Sequence, residues 1–173
     1  DVDGDGDVDV LSASQYDDTV AWYENDGSAG FTKLDIATDA TTAKCVYAED
    51  FDGDDDMDVV AALTDDNTIA WYENDGSGEF ETHEIADAKS ARTLYVIDMD
   101  DDGDLDVVAN SKETEVSWYE NDGSENFTAH VIAAAVDVVT SVYAGDLDSD
   151  GDIDVLSASS DDDTVAWYEN PAN

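Results

Sequence analysis

The chain has 173 residues, and its 47 acidic residues against five lysines and arginines give a formal net charge of -42. Such a field repels nucleic acids and anionic membrane surfaces, so neither is expected as a partner. Membrane insertion is not expected either, because no apolar run approaches the ~20 residues of a membrane span. Hydrophobic residues make up 42% of the chain and are spread along it, which predicts a folded core rather than a disordered acidic tail.

The chain contains an internal repeat. An aspartate-rich string reads DVDGDGDVDV, DFDGDDDMDV, DMDDDGDLDV and DLDSDGDIDV, and its copies start at residues 1, 50, 98 and 146. Three other markers keep the same order: AWYENDGS, FTKLDI and CVYAED, each with counterparts in other copies. This order predicts a tandem array with repeats at 1–49, 50–97, 98–145 and 146–173.

Each marker has the composition of a short strand. The segments are rich in β-branched and aromatic residues, and clusters of Asp, Asn, Gly or Ser bound most of them. Within one repeat we label the strands A (VYA), B (DVLSAS), C (TVAWYE) and D (FTKLDI or FTAHVI). The aspartates join A to B, and the NDGS sequence predicts a hairpin between C and D, because Asn, Asp and Gly tolerate positive φ.

Four antiparallel strands at this repeat length are typical of a β-propeller blade. We therefore predict an all-β fold, a β-propeller of four-stranded antiparallel blades that forms one segment over residues 1–173. The first blade would lack strand A and the last would lack strand D, which leaves 3 + 4 + 4 + 3 = 14 strands. Such ends expose strand edges and apolar faces, so we expect further blades or another copy of the chain to complete them. The tryptophan of each strand C is predicted to pack between blades rather than to stack on a sugar.

The aspartate strings share the pattern D-x-D-x-D-[G/D]-x-x-D. Alternating carboxylates on a tightly curled loop point toward one centre, and calcium prefers about six to eight hard oxygen ligands in a flexible shell. Four carboxylates, a backbone carbonyl and water would meet that need, so we predict about four calcium ions, one in each loop. The predicted carboxylate ligands, at loop positions 1, 3, 5 and 9, are Asp1, Asp3, Asp5, Asp9, Asp50, Asp52, Asp54, Asp58, Asp98, Asp100, Asp102, Asp106, Asp146, Asp148, Asp150 and Asp154.

Other interpretations of these loops are weaker. Magnesium is less suited because it prefers a rigid octahedron and keeps its waters, and an EF-hand would need Glu at loop position 12 and flanking helices. A solvated acidic surface of the halophile type would explain the excess charge but not the fixed register, and it is compatible with calcium loops. Glycine at loop position 6 permits the sharp turn, but Asp55 stands there in the second loop, which is therefore expected to bind calcium most weakly.

Together these residues resemble the FG-GAP/VCBS-type repeat of integrin-α-like β-propellers. The resemblance rests on the D-x-D-G-D-G-x-x-D loop followed by DVLSAS and AWYENDGS, and it covers the whole chain. It implies a calcium ion that clips the loop between the first two strands of each blade. It also implies a backbone carbonyl ligand at loop position 7, which here means Asp7, Asp56, Asp104 and Asp152. The sequence departs from the pattern at Asp55 and at Pro171, which replaces the hairpin Asp in the last copy.

The sequence offers little for catalysis, and we do not expect an enzyme. The only histidines, His83 and His130, occupy equivalent strand D positions where the first copy has Leu34, which favours packing. The leading hypothesis is a calcium-stabilised, secreted or cell-surface propeller that serves in binding, adhesion or self-assembly, with a protein or glycan ligand. Two alternatives stay open: a carbohydrate-binding lectin, and the propeller part of a carbohydrate-active lyase or dehydratase. Extracellular placement is expected because millimolar calcium suits low-affinity acidic loops.

Overall fold

A computed structural model describes residues 1–112 and 114–170. This part of the chain forms 14 β-strands in four antiparallel sheets and contains no helix. No helix long and apolar enough to cross a membrane occurs among these residues. Residue 113 and residues 171–173 lie outside the described part, as does the predicted departure at Pro171.

The sheets contain three, four, four and three strands. The first sheet comprises β1 (Val10–Ser14), β2 (Thr19–Asn25) and β3 (Phe31–Ala37). The second comprises β4 (Ala43–Glu49), β5 (Asp58–Leu63), β6 (Thr68–Asn74) and β7 (Phe80–Asp87). The third comprises β8 (Leu94–Ile97), β9 (Asp106–Ser111), β10 (Glu115–Asn121) and β11 (Phe127–Ala134). The fourth comprises β12 (Val139–Gly145), β13 (Asp154–Ser159) and β14 (Thr164–Tyr168).

Strand order within each sheet follows chain order, so each sheet is an antiparallel meander. The innermost strands of consecutive sheets contact one another, β1 with β4, β4 with β8 and β8 with β12, as the blades of a propeller do. The predicted all-β fold of propeller-like blades is confirmed. The hairpin between strands C and D also forms, because Asp26 donates its backbone N–H to the carbonyl of Gly30 at 3.0 Å, and Gly27 has φ 67°.

The hydrophobic core is divided among the spaces between sheets. Val20 of the first sheet packs in one cluster with Val59 of the second. Ile69 and Trp71 of the second sheet share a cluster with side chains of the third, and a third cluster joins the third sheet to the fourth. Alternate residues of a strand thus face the preceding sheet and the following sheet in turn, and both faces of the strand are apolar for this reason. Trp22 and Trp71 are buried, whereas Trp167 of the last strand C is 50% exposed, so the predicted packing between sheets does not extend to Trp167.

Candidate metal sites in the aspartate loops

The four aspartate strings form turns that lie between consecutive strands or precede the first one, and each gathers carboxylates. In every loop three side chains offer oxygens that lie within 4.8 Å of one another. The groups are Asp1, Asp3 and Asp5; Asp50, Asp52 and Asp54; Asp98, Asp100 and Asp106; and Asp146, Asp148 and Asp154. The remaining predicted carboxylate ligands, Asp9, Asp58, Asp102 and Asp150, belong to the same loops but lie outside these groups.

Carboxylates within each loop accept hydrogen bonds from the loop backbone, which curls the chain around them. In the first loop Asp1 accepts the N–H of Gly6 at 3.0 Å and Asp3 accepts the N–H of Asp5 at 3.3 Å. The carboxylate at position 5 accepts the N–H of position 7 in all four loops, at 2.8 to 3.0 Å. Each acceptor oxygen has a second lone pair, so these bonds orient the carboxylates without using up their capacity to bind a cation.

Two positions of every loop have left-handed backbone conformations. Position 6 has φ between 97° and 103° where it is glycine, and 76° at Asp55. Position 4 also has positive φ, 61° at Asp101 and 68° at Ser149, which the sequence interpretation missed. Asp and Ser tolerate the ordinary left-handed region near +50° to +70° better than the wider φ that glycine adopts at position 6. Asp55 thus has the largest positive φ of the described non-glycine residues, a result in line with a strained second loop.

The aspartate at position 9 anchors the loop to its blade. Asp106 is completely buried, and its two oxygens accept the N–H of Met99 at 3.0 Å and the N–H of Asn121 at 2.7 Å. Asp9, Asp58 and Asp154 accept the equivalent pair of backbone N–H groups. One carboxylate therefore ties the start of the loop to the end of strand C. The pattern alone could not distinguish this anchoring role from metal ligation, and the two are compatible.

An asparagine at the end of strand C completes the anchor, and sequence reasoning missed it. Asn121 donates its side-chain N–H to the carbonyl of Leu105 at 3.2 Å, while its Oδ1 accepts the N–H of Gly123 at 3.2 Å. Asn25 and Asn74 make the same two bonds in their own copies. The available signal is the Asn of the repeated WYENDG string, which the sequence pattern assigns to the hairpin alone.

The loop also packs against the neighbouring hairpin through position 7. A Cβ added to Gly123 would lie 2.3 Å from Oδ2 of Asp104, and Gly27 and Gly76 have the same relation to Asp7 and Asp56. The hairpin glycine is therefore required for close approach as well as for its positive φ. The predicted role of the position 7 carbonyls as ligands stays a prediction.

Several of these carboxylates are less acidic than usual. Burial raises the pKa of Asp58 and of Asp106 to about 6, against the lowering effect of the backbone N–H groups that they accept. Burial and, next, the charge of the neighbouring position 5 carboxylate raise the pKa of Asp52 and of Asp100. Without a cation, ionisation of these groups is less favourable than that of a free aspartate, and a bound divalent ion would oppose this effect.

Both histidines pack against a tryptophan and contact a glutamate of the neighbouring strand. His83 stacks on Trp71 with ring centroids 4.6 Å apart, and its Nε2 lies 2.7 Å from Glu73. His130 makes the equivalent contacts with Trp118 and Glu120. Glu73, Glu81 and His83 form one further group with ligand atoms within 4.8 Å, but the ring stacking and the hydrogen bond to Glu73 already account for the position of His83.

Fold and loops together define a protein of stacked antiparallel sheets of three or four strands, with an acidic loop at the start of each strand B. The family model of the FG-GAP-like repeat matches residues 1–61, 50–109 and 98–157. The chain therefore belongs to the FG-GAP-like repeat family, and the resemblance seen in the sequence is confirmed.

Among solved structures, the chain is similar to a lectin from Agrocybe aegerita whose structure was described for its specific recognition of non-reducing terminal N-acetylglucosamine. The TM-score is 0.58 at 16% identity, over 87% of this chain and 46% of the lectin chain. At this identity the likeness shows the fold alone, and the chain spans less than half of the lectin. A search of curated proteins gave no match.

Proposed function

We propose that the chain is a calcium-stabilised, extracellular β-propeller module that serves in binding or adhesion. The observation that supports calcium binding is one arrangement that recurs in all four loops. In each loop, three carboxylates have oxygens within 4.8 Å of one another, and backbone N–H groups of the loop hold the curled conformation. Carboxylate oxygens are the hard ligands that calcium prefers, and the loops present them without the His or Cys that softer metals favour.

The energetic argument supports the same assignment. Each loop collects at least four carboxylates in fewer than a dozen residues, on a chain whose net charge is already -42. Their mutual repulsion opposes folding, whereas a divalent cation converts it into attraction. Because the loops are tied to strands B and C through the position 9 aspartates, calcium bound there stabilises the sheet as well as the loop. Calcium of millimolar concentration is found outside cells, which supports the extracellular placement.

Titration calorimetry tests the calcium assignment. We expect about four calcium ions per chain and much weaker binding of magnesium. Asp100→Asn should remove one site, whereas Asp39→Asn, which removes the same charge from an exposed position outside the loops, should leave the stoichiometry unchanged. If molar sodium chloride stabilised the protein as well as millimolar calcium did, the acidic surface would be a general salt adaptation and the proposal would be wrong.

A carbohydrate-binding function is the second candidate, and a cavity favours it. A space of about 240 Å³ lies between the second and third sheets, lined among others by Phe51, Asp52, Asn121, Glu125 and Phe127. The half-buried ring of Phe127 beside carboxylates and an amide suits a sugar, which presents apolar C–H faces and hydroxyl groups. A glycan array in calcium tests this. Loss of a specific signal in Glu125→Ala, with binding kept in Glu79→Ala on the outer turn of the second sheet, would support a lectin.

A further inference from the structure

Each sheet has two different faces, and three interfaces between sheets show how they pair. We define the leading face as the one that packs on the following sheet, and the trailing face as the one that packs on the preceding sheet. On strand C the leading face carries Val20, Ile69 and Val116, all completely buried against the next sheet. On strand B the trailing face carries Val59, Val107 and Val155, which are 0 to 1% exposed.

The second residue of each aspartate loop extends the leading face. Phe51 lies 5.4 Å from Trp71 and 6.1 Å from Phe127 of the third sheet, measured between ring centroids, and it is buried. Met99 occupies the same position in the next loop and packs with side chains of the fourth sheet. Val2 is also buried, and its carbonyl accepts a hydrogen bond from the Asn74 side chain of the second sheet at 3.0 Å. The loops thus hold consecutive sheets together.

The same positions are exposed on two faces of the molecule. On the leading face of the fourth sheet, Val165 is 77% exposed, Trp167 50% and Leu147 41%, and Tyr143 is exposed beside them. On the trailing face of the first sheet, Val10 is 51% exposed and Phe31 is exposed beside it. Exposed apolar side chains gathered on a sheet face mark an interaction surface.

We propose that the leading face of the fourth sheet packs against the trailing face of the first sheet in a second copy of this chain. A trailing face is the expected occupant because each of the three internal interfaces pairs one leading face with one trailing face. A second copy presents an uncovered trailing face on its first sheet. Val165 repeats the position of Val20, Ile69 and Val116, and Val10 repeats that of Val59, Val107 and Val155. The two exposed faces are therefore complementary to each other, and neither is complementary to itself.

Two copies suffice to satisfy both faces. One chain has four sheets, so two chains provide eight, and propellers close with about four to eight blades. The contact joins unlike faces, so closure of a ring leaves no face exposed, whereas failure to close would build an open filament. We therefore expect a closed dimer.

Charge opposes this contact and gives it a recognisable salt dependence. Each copy carries a formal charge of -42, so two copies repel one another at low ionic strength. Salt screens the repulsion between exposed charges, and calcium in the loops reduces it further. The association should therefore strengthen as salt is raised, the opposite of a contact made by surface ion pairs.

Complementary interface variants test the proposal. In calcium and moderate salt, sedimentation velocity over a wide range of protein concentration should show the unchanged chain as a dimer. Val10→Lys and Val165→Lys each place a charge on one face at an exposed position, so the fold is preserved, and each variant alone should be monomeric. Mixed together they should form an open dimer through one contact, because the intact leading face of Val10→Lys meets the intact trailing face of Val165→Lys. The other contact, in which both lysines would meet, stays open.

The control substitutes an exposed aromatic outside both faces. Tyr16→Lys, in the turn between β1 and β2, carries the same charge change and should still dimerise. A monomer at all concentrations for the unchanged chain would overturn the proposal, and so would single variants that still dimerise or a mixture that stays monomeric. An open series of larger species would overturn the closed ring.

Discussion

The middle sheets and the outer sheets of this molecule have nearly the same sequence but different burial. All six residues of β5 and all six of β9 are buried, whereas β1 and β14 have no buried residue. The two outer sheets also differ from each other in the string DVLSAS, which occurs at residues 9–14 of the first sheet and again at 154–159 of the fourth. Four of its residues are buried in β13, but none is buried in the first copy.

The comparison shows that the burial of a residue in this array depends on whether a neighbouring sheet covers it, and not on its position within its own sheet. A residue of the array becomes core when a neighbouring sheet covers the face on which it lies, as expected where each repeat contacts only its neighbours. The trailing face of the fourth sheet is covered in this way, so β13 has buried residues, whereas the trailing face of the first sheet is not. Stability should therefore be distributed unequally among identical sequence positions. Calcium is the exception, because each of the four loops carries its own ligands.

The largest expected effect is removal of calcium, which acts on the middle and outer sheets alike. A ligand that binds only the folded state at 100 times its dissociation constant adds about 2.7 kcal/mol per site. Four such sites would approach or exceed the whole stability of a typical domain, about 5–15 kcal/mol. Excess EDTA should lower the melting temperature sharply, as followed by circular dichroism, and added calcium should restore it. An unchanged melting curve would contradict calcium stabilisation.

The next effect separates the middle from the outer sheets at one position. Trp71 is buried and stacks on His83, whereas Trp167 is half exposed. Trp71→Ala should cost about 3–5 kcal/mol, and Trp167→Ala should cost much less. Urea unfolding measures both.

Self-association must be removed from this comparison, because Trp167 lies on the proposed interface. Both substitutions are therefore made in the monomeric Val165→Lys background. Equal losses of stability would show that the outer sheets are packed as tightly as the middle ones, and the comparison would fail.

The anchors of the loops provide a third contrast. Asp106→Ala leaves the N–H groups of Met99 and Asn121 without their acceptor in a buried site, at about 1–3 kcal/mol each. Asp9→Ala removes the same two bonds, but Asp9 is only half-buried and water can replace the carboxylate. Unfolding is measured in EDTA, so a loss of metal affinity does not contribute to the measured free energy of unfolding. A cost at Asp9 as large as that at Asp106 would contradict an effect of burial.

The sequence was sufficient to predict the strands, the hairpins and the propeller-like fold, because the repeated markers align residues of equal role in successive copies. It was also sufficient to gather the aspartates into loops. It did not reveal the anchor made by Asn121, nor the insertion of Phe51 between sheets, because both depend on segments that meet only after the blades have stacked. In the sequence, Asn121 is already explained as a hairpin residue, and Phe51 is a single apolar residue within an acidic string. Neither pattern indicates a contact with a distant segment.

The smallest expected effect concerns the turn of the second loop. Asp55 adopts φ 76°, whereas Gly103 adopts φ 100° at the same position of the third loop. Asp55→Gly should relieve strain and tighten calcium binding in the second loop, and Gly103→Asp should weaken calcium binding in the third loop by about 1 kcal/mol.

Accordingly, Asp102→Ala or Asp150→Ala should lose more calcium affinity than Asp54→Ala, since the second site binds most weakly from the start. Calorimetry on the five variants decides the order, with Asp39→Ala, at an exposed position outside the loops, as the control. Equal losses at Asp54, Asp102 and Asp150, together with unchanged affinity in Asp55→Gly, would show that the backbone at position 6 does not limit the site.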